Sequence, residues 1–86
     1  MIDNYMIYKN LPTLDLHGCD RYLAEIEINE FIEDSSKSGK KLIIIIHGKG
    51  LGIIRKTTHE TLDNNENVLA HKIDMYNDGQ TIVELK

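Results

Sequence analysis

Two hydrophobic patterns follow each other in the first half of the chain. Residues 13–17 alternate between apolar and polar side chains, with Leu14 and Leu16 on one side, which is the period of a strand with one buried face. Gly18 ends this pattern, and Asp20 is a good helix N-cap. Apolar side chains then recur at helical spacing, at Ala24, Ile28, Phe31 and Ile32. The pattern predicts a strand and then a helix that ends near residue 37.

The second half repeats this order and then changes to a hairpin pattern. Residues 42–46 are all apolar, which is typical of a strand covered on both faces, and a glycine-rich turn leads to a second helix over residues 51–64. Residues 72–76 and 81–85 alternate again, with Ile73 and Met75 expected to point inward. Between them, Asn77-Asp78-Gly79 predicts the hairpin turn.

The predicted element order is βαβαββ. It indicates an α/β fold of two layers, in which two helices cover a mixed four-stranded sheet whose first two strands are parallel. This domain would span residues 13–86, after an N-terminal arm over residues 1–12.

Composition narrows the class of protein. With 86 residues, 41% of them hydrophobic and 28% charged, the chain fits one globular domain. No apolar run approaches the roughly 18 residues that a membrane span needs, and the N-terminus lacks the apolar core of a secretory signal. Cys19 is the single cysteine, so no disulfide forms within the chain. We therefore expect a cytoplasmic protein with no membrane partner and no disulfide-linked partner.

Charge is distributed unevenly although the net charge is −4. Residues 37–56 contain six cationic side chains and no acidic one, whereas residues 20–34 contain six acids and one arginine. The basic segment predicts one electropositive face or end suited to a phosphate-bearing ligand, with Lys37, Lys40 and Lys41 more typical of a solvated loop.

The two predicted parallel strands both end in His-Gly. Open α/β sheets bind ligands at the carboxyl edge of their strands, so His17 and His47 are expected at one edge. Asp15 shares the side of its strand with His17, and Lys49 precedes the N-terminus of the second helix, where free backbone N–H groups favour anions. Three glycines allow the backbone to approach a phosphate closely, namely Gly48, Gly50 and Gly52.

Carboxylate, imidazole, lysine and amide groups together suit phosphodiester cleavage, because imidazole transfers protons and the cations stabilise charge on phosphorus. Two structural alternatives stay open at this point: His47 caps its strand, and Asp15 hydrogen-bonds the following turn.

Other chemistries fit less well. The segment GKGLG matches neither the Walker pattern nor the dinucleotide pattern, and His59-Glu60 lacks the second histidine of a zinc protease. Asp15, His17 and Cys19 alternate, but their spacing fits no standard zinc motif. We expect no cofactor and no metal ligands, and dependence on a divalent cation is left open.

In combination, LDLHG (14–18), IIIIHGKGLGIIR (43–55) and GQTIVELK (79–86) resemble the Smr (small MutS-related) domain over residues 13–86. The resemblance implies a fold like that of the C-terminal domain of translation initiation factor three. It also implies endonuclease activity, described for branched or nicked DNA in some members and for mRNA on stalled ribosomes in others. Leu51 stands where the family often has threonine, which removes a hydroxyl that could touch phosphate.

The family's motifs assign roles to residues of this chain. Asp15 and His17 fall on the DLHG motif, which implies a catalytic pair, with His47 as a candidate second acid or base. The phosphate-contacting loop falls on Gly48, Lys49, Gly50 and Gly52, followed by Arg55 and Lys56. DNA or RNA is then the expected partner, with a ribosome or a repair protein as a further one.

Two alternatives remain beside the nuclease hypothesis. In the first alternative, the domain is a non-catalytic module that binds nucleic acid or a ribosomal surface through residues 37–56. In the second, it is a protein-interaction domain that uses its acidic first helix.

Overall fold

The computed structural model describes residues 10–86, which form a four-stranded sheet with two helices packed on one face. The elements are β1 (Thr13–Asp15), α1 (Arg21–Lys37), β2 (Leu42–Ile46), α2 (Ile53–Asp63), β3 (Val68–Asp74) and β4 (Asn77–Leu85). The strand order is β1-β2-β4-β3, with β1 and β2 parallel and the other neighbours antiparallel. The predicted α/β fold with a mixed sheet is confirmed. The predicted arm, residues 1–12, lies largely outside the described residues.

Helix α1 forms where its cap and apolar stripe predict it. The side chain of Asp20 accepts a hydrogen bond from the backbone N–H of Leu23 at 2.8 Å, which satisfies one free donor of the first turn. Ala24, Ile28 and Ile32 are fully buried, because their spacing keeps them on the face that meets the sheet.

Strand β2 lies between two apolar clusters, as its unbroken apolar sequence predicts. Ile43 and Ile45 point toward the helices and pack with the α1 stripe and with Val83 of β4. Leu42 and Ile44 point to the opposite face, where they pack with Ile82, Leu11 and Ile46. The sheet therefore has a face toward the helices, called the helix face, and an opposite face, and each carries its own apolar cluster.

Helix α2 begins at Ile53, two residues later than predicted, because Gly52 adopts a left-handed backbone and serves as its N-cap. Its threonines are more buried than their polarity indicates. Thr58 is fully buried because its hydroxyl donates to the carbonyl of Ile54 at 2.8 Å within the helix. Among residues 10–86, no helix has the length and apolarity needed to cross a membrane.

The predicted hairpin turn is wrong. Met75 and Tyr76 form the turn, and Asn77-Asp78-Gly79 belongs to β4. Asp74 pairs with Asn77 whereas Ile73 pairs with Thr81, so three residues of β4 bulge out between the two pairs. Met75 is also 75% exposed rather than inward, because the buried carboxylate of Asp74 takes the inward position.

Candidate functional site

The carboxyl ends of β1 and β2 lie side by side. Asp15 is the register partner of Ile46, and the backbone N–H of Leu16 donates to the carbonyl of Ile46 at 2.9 Å. The two His-Gly segments that follow these strands therefore leave the sheet at one edge, as the sequence predicts. We call this the HG edge, defined by residues 15–18 and 47–52.

Asp15 and His17 are both exposed at the HG edge. The Oδ1 atom of Asp15 accepts a hydrogen bond from the backbone N–H of His17 at 2.9 Å. This is the structural hydrogen bond that the alternative interpretation of Asp15 predicts. Its consequence is that the carboxylate fixes the backbone of residue 17, and with it the position from which the imidazole projects into solvent.

The loop between β2 and α2 is shaped by two left-handed glycines. Gly48 has φ of +79° and Gly52 has φ of +84°, values that side-chain-bearing residues rarely adopt. Gly52 has no side chain to cap α2, so the N–H groups of the first turn donate to no N-cap side chain. Arg55 reaches back over this end: a methyl group on Gly52 would lie 3.6 Å from its Nη2 atom.

The bulge of β4 supports this loop from the side. The carbonyl of Gly79 accepts hydrogen bonds from the backbone N–H groups of His47 at 2.9 Å and Gly48 at 2.8 Å. Beside it, Nζ of Lys49 lies 3.2 Å from Oδ1 of Asp78, and both side chains are more than 60% exposed. Asn77-Asp78-Gly79, whose sequence predicted a turn, thus packs against the side of the loop between β2 and α2.

His47 occupies a different environment from His17. It is 9% exposed, and its Nδ1 lies 2.9 Å from the carbonyl of Gly48, so Nδ1 carries the proton because a carbonyl only accepts. Its Nε2 lies 2.8 Å from Oγ1 of Thr81 and therefore accepts that hydroxyl's proton. Thr81 in turn accepts from Nε2–H of His59 at 2.9 Å.

The histidine chain continues away from the HG edge. The ring of His59 stacks on His71 with centroids 5.2 Å apart, and Nε2 of His71 donates to Oδ1 of Asp63 at 2.6 Å. Burial has the largest effect on His47 and lowers its pKa. The hydrogen bond to the Gly48 carbonyl raises this pKa, and the nearby charge of Arg55 lowers it. Burial likewise lowers the pKa of His59, with the neighbouring His71 acting in the same direction. Both shifts favour the neutral form of the ring in the folded protein.

Asp15 and His47 lie on opposite faces of the sheet. Asp15 is beside Ile46 on the face opposite the helices, whereas His47 follows Ile45 by two residues and joins Thr81 on the helix face. The role of His47 as a second acid or base stays a prediction, and its buried, doubly hydrogen-bonded ring favours the strand-cap alternative.

Comparison with known proteins gives the chain its family. Residues 14–86 match the family model described as the Smr domain. The chain belongs to the Smr domain family. It is 37% identical over 79 residues to the endonuclease MutS2 of Halothermothrix orenii, a match that covers 87% of this chain and 10% of that protein. It is 33% identical over 76 residues to the endonuclease MutS2 of Clostridium tetani, covering 85% of this chain and 10% of that protein.

Two solved structures have the same fold. The Smr domain of Thermus thermophilus MutS2 superposes with a TM-score of 0.86 at 25% identity, covering 88% of this chain and 99% of that one. YdaL of Escherichia coli, a stand-alone small MutS-related protein, superposes with a TM-score of 0.84 at 23% identity, covering 92% and 67%. The chain spans about a tenth of the length of the MutS2 relatives. The likeness to translation initiation factor three stays a prediction.

The basic segment of this Smr domain divides between the two ends of β2, so its six cations do not share one face or end of the domain. Lys41 precedes β2, where its Nζ donates to the carbonyl of Lys86 at 3.0 Å, so Lys37, Lys40 and Lys41 lie at the opposite edge of the sheet from Lys49. A five-residue strand separates the two groups by about 16 Å. Only Lys49, Arg55 and Lys56 of the six cations lie near the HG edge.

Several residues that form the chain of hydrogen bonds and ring contacts leading away from His47 were missed from sequence. Thr81, His59, His71 and Asp63 come from three elements, and nothing in their local spacing links them to His47. Asp78 was assigned to a turn rather than to the side of the loop. Among residues 10–86, no group of three or more His, Cys, Asp or Glu side chains is arranged to hold a metal ion, and Asp15, His17 and Cys19 do not converge as one.

Proposed function

We propose that this Smr domain is an endonuclease that cleaves phosphodiester bonds in RNA or in structured DNA. The observation that carries the proposal is the HG edge, where β1 and β2 end side by side, so that the exposed Asp15 and His17 and the glycine-capped start of α2 follow neighbouring strands. The MutS2 relatives that contain a similar region are named endonucleases. The chain spans about a tenth of those proteins, so their names support the proposal, and cleavage by this domain is the test of it.

In the proposed reaction, the new bond to phosphorus comes from water or from a ribose 2′-hydroxyl, and the bond to the leaving ribose oxygen breaks. His17 accepts the proton of the nucleophile or donates a proton to the leaving oxygen, a task suited to an exposed imidazole. Asp15 acts as a positioning residue, because its carboxylate holds the backbone of His17.

The phosphate lies against the loop of residues 48–52. Lys49 and Arg55 supply positive charge, Lys56 adds to it from the first turn of α2, and the free N–H groups of that turn point at the phosphate oxygens. These groups stabilise the negative charge that grows on the oxygens in the transition state. We assign His47 a positioning role, in which its hydrogen bonds fix the start of the loop.

The test is cleavage by the purified protein of three end-labelled substrates, namely single-stranded RNA, duplex RNA and branched DNA, each with Mg²⁺ and with EDTA. The chain offers a matched control, because Asp63 and His71 are a second Asp–His pair, in direct contact, on the helix face. We expect the Asp15→Ala/His17→Ala protein to lose cleavage and the Asp63→Ala/His71→Ala protein to retain it. Cleavage that persists in the first double variant removes Asp15 and His17 from the mechanism.

The product ends identify the nucleophile. A 2′,3′-cyclic phosphate requires attack by a 2′-hydroxyl and hence an RNA substrate, whereas a linear phosphate end is the product of attack by water. Formation of the cyclic end in EDTA shows that the proton chemistry needs no divalent cation and is supplied by the protein's own side chains.

A non-catalytic nucleic-acid or ribosome-binding module is the second candidate. It is favoured by the engagement of Oδ1 of Asp15 within the protein, where this oxygen accepts the backbone N–H of His17. It predicts binding that weakens with salt and does not change in the His17→Ala protein, with no cleavage of any substrate. A ribosomal or repair partner and a cytoplasmic location stay predictions.

A further inference from the structure

Three large apolar side chains are exposed near the HG edge. Leu51 at the tip of the loop is 95% exposed, and Met75 and Tyr76 in the β3–β4 turn are 75% and 68% exposed. Because β4 runs antiparallel to β2, the β3–β4 turn lies at the same edge of the sheet as the loop. Single exposed apolar residues are ordinary on protein surfaces, but these flank a cationic, anion-binding loop.

The β3–β4 turn is held rigidly by its own side chains. Asp74 is 2% exposed, and its carboxylate accepts from the backbone N–H of Tyr76 at 2.9 Å and from Nε2 of Gln80 at 2.8 Å. Oδ1 of Asn77 accepts from the N–H of Gly79 at 3.0 Å. Fixing Tyr76 in advance lowers the conformational entropy that binding through it costs.

The β3–β4 turn is also joined by hydrogen bonds to the loop between β2 and α2. Gly79 accepts the N–H groups of His47 and Gly48, and a methyl group on Gly79 would lie 3.4 Å from Cγ of Lys49. The end of the β3–β4 hairpin that carries Tyr76 is therefore joined by backbone hydrogen bonds to the loop that carries Lys49, which places the exposed ring at the same edge of the sheet as that lysine.

We propose that Tyr76 is a stacking platform for an unpaired base next to the phosphate bound at the HG edge. The inference rests on the proposed phosphate-binding role of that edge and adds its specificity: a preference for strands with at least one unpaired base. An aromatic ring accepts any base through its π face, whereas the bases of a continuous duplex already stack on each other. Lys49 and the α2 N-terminus supply the charge that complements the strand's backbone.

The test measures the binding of a labelled 12-nucleotide single strand and a 12-base-pair blunt duplex by fluorescence anisotropy, in the His17→Ala background so that the strands stay intact. Tyr22 is a matched control, since it is 67% exposed and lies on α1. We expect Tyr76→Ala to weaken single-strand binding by about 5- to 150-fold. Tyr76→Phe, Tyr22→Ala and duplex binding by Tyr76→Ala should each change by less than about twofold.

A scan of abasic sites along the strand locates the base. Removal of the stacked base should weaken binding to the parent protein, and the same removal should have no further effect on the Tyr76→Ala protein, because the two changes delete one contact. Independent, additive losses contradict stacking at Tyr76.

The outcomes separate this inference from the proposed nuclease function. Single-strand binding that is unchanged in Tyr76→Ala overturns the stacking role, whether or not Asp15→Ala/His17→Ala abolishes cleavage. Tyr76-dependent binding by a protein that cleaves no substrate overturns the nuclease function alone. If the protein binds neither strand, or if Tyr76→Ala disrupts only the binding of a protein partner, the stacking role is wrong.

Discussion

The buried hydroxyl of Thr81 joins two histidine rings, and its removal gives a measurable prediction for stability. Thr81 is fully buried, accepts from Nε2–H of His59 at 2.9 Å and donates to Nε2 of His47 at 2.8 Å. Thr81→Val keeps the shape of the side chain and deletes both hydrogen bonds. A net contribution of about 1 kcal/mol for each bond gives a loss of about 2 kcal/mol in the free energy of unfolding.

The assay is thermal and urea unfolding followed by circular dichroism at pH 7.5. For a domain of this size, about 2 kcal/mol lowers Tm by roughly 8–16 °C. The matched control is Thr58→Val, also fully buried, whose hydroxyl bonds only to the Ile54 carbonyl of its own helix. That carbonyl also accepts the regular helical hydrogen bond, so no buried group loses its last partner, and we expect a loss below about 1 kcal/mol.

Equal destabilisation by Thr81→Val and Thr58→Val would refute the reasoning, because the two histidine nitrogens would then gain nothing from the Thr81 hydroxyl.

Three further predictions concern pH, charge and backbone geometry. Because burial lowers the pKa of His47 and His59, the unfolded chain binds more protons as pH falls below about 6.5, so the urea midpoint should fall between pH 7.5 and 5.5 and level off only below the folded-state pKa values. Asp78→Asn should leave Tm nearly unchanged, since an exposed ion pair contributes little to stability. The same change should tighten nucleic-acid binding several-fold and steepen its salt dependence by about one ion, because Lys49 becomes available to phosphate. Gly52→Ala should cost about 1–2 kcal/mol in a urea titration, because φ of +84° is unfavourable for alanine.

Each of these predictions has a control within the chain. A urea midpoint that is constant from pH 7.5 to 5.5 contradicts the neutral-histidine account, and the His59→Gln protein should show a smaller decrease than the parent. Glu33→Gln breaks an equally exposed ion pair with Lys37 on α1 and should not affect nucleic-acid binding. Gly50→Ala introduces a methyl group with no atom within 4 Å at a residue outside the left-handed region, so equal costs at positions 50 and 52 contradict the backbone argument.

Local chemistry made much of the fold predictable. The Asp20 cap and the stripe of Ala24, Ile28 and Ile32 each act within one element, and the structure places them as expected. The order of the first two strands follows from the handedness and length of a βαβ connection. The LDLHG and HGKGLG segments were likewise brought to one edge, because parallel strands end together.

Features that depend on how strands pair were not predictable from one sequence. Asn77-Asp78-Gly79 has the composition of a tight turn, but the register between β3 and β4 uses it as a bulge against the loop between β2 and α2. The opposite faces of Asp15 and His47 follow from the register of β1 on β2, which a helix separates in sequence. The separation of the lysines follows from the position of β2 in the middle of the basic segment.

The measurement that tests the central claim most directly is the single-turnover cleavage rate of the His17→Gln protein on the best substrate, with His71→Gln as the control. His17 is exposed at the HG edge, whereas His71 is engaged with Asp63 on the helix face. Loss of a general acid or base lowers a rate by about 10²- to 10⁴-fold. We predict a decrease in that range for His17→Gln and a rate within about threefold of the parent for His71→Gln, which removes no group from the reacting centre. A His17→Gln protein that cleaves at the parental rate contradicts the proposed function.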